Sequence, residues 1–103
     1  MIYRVTASFR EEMASDLLGE LKDGSIATQQ PDGQEIVDSL RRAVRTPTGT
    51  IQWTECCYCH PPLAHERSTV LDRYFEKFEI EATRKHEQSD GRPFLRYLEE
   101  VLR

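Results

Sequence analysis

A chain of 103 residues can bury one hydrophobic core and is too short for two, so residues 1–103 are expected to form a single domain. Hydrophobic residues are 38% and charged residues 31%, and no apolar run nears the roughly 20 residues of a membrane span. A net charge of −4, with Lys and Arg scattered among Asp and Glu, argues against nucleic acid as a partner.

Met1 to Phe9 alternates, with Tyr3, Val5, Ala7 and Phe9 on one face, and predicts a strand covered on one side. This start lacks the apolar stretch of a secretory signal, so the expected location is the cytoplasm. Met13, Ala14, Leu17, Leu18 and Leu21 then recur at helical spacing, with Gly24 placed to end the helix. Ser25 to Gln30 reads as a short strand stopped by Pro31. Asp32 and Glu35 form a capping-box pattern for a second helix whose apolar stripe is Ile36, Val37, Leu40, Ala43 and Val44.

After a turn at Thr46 to Gly49, a strand puts Ile51, Trp53, Glu55 and Cys57 on one face. Pro61 and Pro62 open a helix from about Leu63 to Phe75. A fourth strand turns Phe78, Ile80 and Ala82 inward and Lys77, Glu79 and Glu81 outward. A polar stretch from Arg84 to Asp90 leads to a last helix from about Pro93, burying Phe94, Leu95, Leu98, Val101 and Leu102.

Alternating strands and helices would suit a parallel α/β sheet. Strands with polar faces instead favour an α+β fold: a mainly antiparallel four-stranded sheet, helices mostly on one face, ferredoxin-like. Its uncovered face would suit a homodimer. That face, with Arg4, Thr6, Gln52 and Thr54, is also an alternative working surface.

The reactive side chains concentrate between Glu55 and Arg73. Cys56, Cys57 and Cys59 are too close together for a disulfide framework, so metal binding, thiol chemistry or simple packing are the readings. Cysteine and histidine are zinc's preferred ligands, making Cys57, Cys59, His60 and His65 the candidate metal set, although no second separated ligand couple exists. Cys56 and Cys59 also read as Cys-x-x-Cys ahead of a helix, a setting that can activate a thiol. With His60 they match a haem c attachment motif, a reading set aside because such attachment requires export and the expected location is the cytoplasm.

A helical wheel of Leu63 to Phe75 puts Arg67 among Val70, Leu71 and Tyr74, so an ion pair between Arg67 and Glu55 is one expectation, and Arg67 reaching water the other. Glu55, His60, Arg67 and Arg73 form the candidate binding set. His65 and Asp72 share the opposite arc and, with Cys59, are the catalytic candidates. Glu66 reads as a surface charge.

The order helix, strand ending in Glu-Cys-x-x-Cys-His, helix, strand over about 32–83 resembles small uncharacterised bacterial α+β domain families. Glu55, Cys56, Cys59 and His60 carry the resemblance; Cys57 and the double proline depart from it. It implies the α+β fold and brings no activity. The expected function is a non-enzymatic module binding a small-molecule ligand or partner at residues 55–73, with no cofactor. The alternative is a small zinc- or thiol-dependent enzyme.

Overall fold

The computed structural model describes residues 1–87 and 90–103, so residues 88 and 89 of the polar 84–90 stretch lie outside the described residues. Period-two burial runs the length of β1 (Ile2–Phe9), with Tyr3, Val5, Ala7 and Phe9 buried. A short 3-10 turn leads into α1 (Ala14–Lys22), which buries Ala14 and Leu17. Gly24, at φ +83, then turns the chain, a left-handed conformation that glycine adopts at no steric cost.

The strand expected at Ser25 to Gln30 is absent: these residues form successive turns around the fully buried Ile26. Those turns pack onto α2 (Gly33–Arg42) so closely that a Cβ on Gly33 would lie 2.2 Å from the Ile26 carbonyl oxygen. Only glycine starts the helix at that approach. α2 buries Ile36, Val37 and Leu40 and ends at an extended Ala43. Ala43 and Val44 stay buried, but beyond the helix, where Val44 and Arg45 form β2 (Val44–Arg45). The turn at Thr46 to Gly49 joins β2 to β3 (Ile51–Cys56), with Thr46 N–H donating to the Thr50 carbonyl at 2.8 Å.

The helical segment behind the double proline, α3, has three parts: an α turn at Ala64–Glu66, a π segment at Arg67–Leu71 and an α turn at Asp72–Tyr74. Ser68 and Thr69 hydroxyls both donate to the His65 carbonyl, at 3.0 and 2.9 Å. Such side-chain competition for backbone acceptors accompanies irregular helix.

β4 (Phe75–Thr83) follows at once. Its register against β1 slips by one residue near Lys77, which stands at φ +57, so Phe75 and Ile80 both face the helices across a bulge. β5 (Arg92–Pro93) and α4 (Phe94–Val101) complete the chain. In α4, Phe94 and Leu98 are buried; Val101 at its end and Leu102 just beyond it, expected inside, are exposed.

The sheet order is β4-β1-β3-β2-β5, and every pairing is antiparallel. The fold is therefore α+β; among the described residues no strands pair in parallel, and two-residue β2 and β5 make five strands where four were expected. Phe75 anchors the core, its ring 5.5 Å from Phe9, 5.1 Å from Trp53 and 5.8 Å from Phe94. On the outer face Arg4 pairs with Glu81 and Glu87, each at 2.9 Å, and Thr54 is buried beneath His86 with Oγ1 2.8 Å from Nδ1. The segment after β4 thus covers part of the polar sheet surface. No helix among the described residues is long and apolar enough to cross a membrane.

Candidate functional site

Side chains of β3 alternate, so Ile51, Trp53 and Glu55 all point toward the helices, and Cys57 continues that face just past the strand. Ile51 and Trp53 meet apolar neighbours. Glu55 does not: it is 1% exposed, accepts from Trp53 Nε1–H through Oε1 at 2.7 Å, and leaves Oε2 without a hydrogen-bond partner among the described residues. Burial, opposed by the Trp53 bond and reinforced by the neighbouring carboxyl of Glu66, pushes Glu55 up to about 9. A proton on Glu55 lets two buried acids share one site.

Glu66, also 1% exposed, comes from the first turn of α3. Its inward position follows from the π segment. One more residue per turn shifts the phase of the helix, so Glu66 takes the inward slot that a regular wheel assigns to Arg67. Around Glu66 lie the thiols. Cys57 Sγ is 3.5 Å from Glu66 Oε2 and Cys59 Sγ 3.9 Å from it. One ligand atom from each of Cys57, Cys59 and Glu66 lies within 4.8 Å of the others. The N–H groups of Cys59 and Leu63 donate to Cys57 Sγ at 3.2 and 3.4 Å. Burial nonetheless dominates and pushes the Cys57 thiol up to about 11, so it stands as a neutral donor, a poor nucleophile.

This cluster opens into a pocket of about 480 Å3 walled by Asp32, Glu35, Cys56, Cys57, Cys59 and Glu66, with Pro31 and Tyr58 completing it. Asp32 and Glu35, the residues of the expected capping box, are diverted to the site. Asp32 stands at the start of α2 with no side-chain cap bond and accepts from His65 Nδ1–H at 2.9 Å. Glu35 accepts the Cys56 N–H at 2.8 Å and lies 3.4 Å from Arg42.

Of the residues singled out in the sequence, Glu55, Cys57 and Cys59 meet. The pairing of Glu55 with Arg67 does not form: Arg67 Nε donates to Asp72 Oδ1 at 2.8 Å, and its guanidinium stacks 4.3 Å over Phe78. Arg67 and Asp72 line a different pocket, of about 320 Å3, beside Pro61 and Pro62. His65 and Asp72 are not partners, since His65 turns to Asp32. His60 is exposed, and Arg73 pairs on the surface with Glu20 at 3.3 Å. Neither histidine of the expected metal set belongs to the sulfur cluster; Glu66, read as a surface charge, does. The adjacent Ser68 and Thr69 were the available signal that the helix departs from regular phase.

Comparison with protein-family models, with curated proteins and with solved structures finds no match to this chain.

Proposed function

We propose that the protein is a non-enzymatic binding module whose ligand brings positive charge into the pocket over Glu66, Cys57 and Cys59. The frame we infer is ferredoxin-like, extended by β5 and α4; strand order β4-β1-β3-β2 and the succession β-α-β-β-α-β, with α1 and α2 together in the first crossover, support it. One observation carries the binding reading: the pocket wall holds three carboxyl groups and three thiols and no lysine, arginine or histidine, with Glu66 at 1% exposure. Asp32 and Glu35 already have partners in His65 and Arg42, whereas among the described residues Glu66 hydrogen-bonds only to the two thiols, so a cationic ligand would supply the partner that a buried carboxyl group calls for. The separation of His65, Asp72 and Cys59 into three different contacts speaks against the catalytic alternative.

Titration of nitrogen-15-labelled protein with spermidine, a soluble polycation, tests this. Saturable shifts are expected at the amides of Cys56, Cys57, Tyr58 and Glu66. Glu66→Gln should weaken the response about 10–100-fold, the equivalent of one lost charge-assisted hydrogen bond. No saturable shift at these amides, or an unchanged response in the variant, would refute the reading.

A further inference from the structure

We propose that Cys57, Cys59 and Glu66 form a zinc site, with the fourth coordination position open to the pocket. The inference rests on the electronegative pocket described above and deepens it by naming the cation as a borderline-soft divalent metal.

The geometry and chemistry of the cluster lead there. The two sulfurs and a Glu66 oxygen already lie within 4.8 Å of one another, so a single ion can reach all three. Two thiolates and a carboxylate are a zinc-type donor set; calcium and magnesium would ask for oxygen alone. The Cys57 sulfur receives two backbone N–H groups, from Cys59 and Leu63, and such hydrogen bonds tune sulfur bound to metal. Finally, Glu55 Oε2 is buried next to Glu66, with no hydrogen-bond partner among the described residues. With Trp53 fixing its other oxygen, a metal-bound Glu66 would gain Glu55 as an outer carboxyl group, the kind of partner that orients metal ligands. Glu55 would then be a positioning residue.

Binding would replace two S–H protons by two S–Zn bonds and release both protons to water, with no change of oxidation state. Three protein ligands leave one position for water or for a donor atom of a pocket ligand.

The test uses full-length protein without a polyhistidine tag, stripped of metal and titrated with Co2+, then displaced by Zn2+. One equivalent of Co2+ should give thiolate-to-cobalt charge-transfer absorption that Zn2+ abolishes. Cys59→Ser and Glu66→Gln should weaken binding beyond the about 10–100-fold typical of losing an outer partner, and Glu55→Gln should fall within that range. His60→Ala and His65→Ala should bind as wild type does. Cys59 is only half-buried, so Cys59→Ser remains informative if Cys57→Ser fails to fold. Absence of charge-transfer absorption, wild-type affinity in Cys59→Ser, or loss of binding in either histidine variant would overturn the zinc site. If spermidine still shifts the pocket amides while cobalt gives no thiolate spectrum, the cationic pocket stands and the metal falls. If both fail, both readings fall.

Discussion

The two ends of β3 face the same layer of helices and are built on opposite principles. Around Trp53 the strand meets Phe75 and, beyond it, Phe9 and Phe94, apolar rings whose burial satisfies itself. Two residues on, Glu55 turns toward Glu66 and two thiols with no basic side chain in the pocket wall. The first end is closed on itself; the second opens into a pocket. The difference teaches that burial alone does not mark a core: an interior lined by acids and thiols is held on different terms from one lined by rings.

The largest effect that would sharpen this contrast is at the aromatic end. Phe75→Ala should destabilise the protein by about 3–5 kcal/mol in a denaturant titration, because its 1% exposed ring sits among four others. A cost below about 1 kcal/mol would mean that the cluster collapses around the gap and is less finished than its geometry suggests.

At the acidic end the expected signature is pH dependence of the metal-free protein. Glu55 has its folded pKa raised from 4.5 to about 9, so the unfolded chain loses the proton first. The contribution of this group is complete below about 4.5 and is lost as pH rises through about 9, with a slope of about 1.4 kcal/mol per pH unit between the two. Glu55→Gln, which mimics the protonated acid beside Glu66 and Glu35, should flatten that slope. Equal slopes in both proteins would locate the titration elsewhere and break the comparison.

The smallest effect belongs to neither end. Arg67 and Asp72 pair at 2.8 Å with side chains 42% and 51% exposed, so Asp72→Ala should change stability by about 0–1 kcal/mol. A larger loss would show that the outer side of α3 contributes what its solvent exposure denies.

Much of this architecture was legible because the sequence periods are clean. The alternation of Tyr3, Val5, Ala7 and Phe9, the stripe Ile36, Val37 and Leu40, and the Ile51, Trp53, Glu55 face each lie where the pattern places them. β2 and β5 were not, since two residues carry no period. The Ser25 to Gln30 segment misled because Ile26 is buried by turns packed on Gly33, a contact between elements that no local pattern reports. The site was half legible: the end of β3 delivers Glu55, Cys57 and Cys59 as expected. Its other half depends on the phase of α3, and a π segment between Glu66 and Tyr74 invalidates a wheel drawn at 3.6 residues per turn. Arg67 and Glu66 exchanged roles for that reason alone.

The bulge in β4 reaches beyond the register it corrects. At Lys77 the outermost strand twists, and its outward positions carry Glu76, Glu79 and Glu81, all exposed. A second chain attempting to extend the sheet there would have to juxtapose like charges along a kinked border. The same device that returns Phe75 and Ile80 to the interior therefore makes this flank a poor template for strand addition.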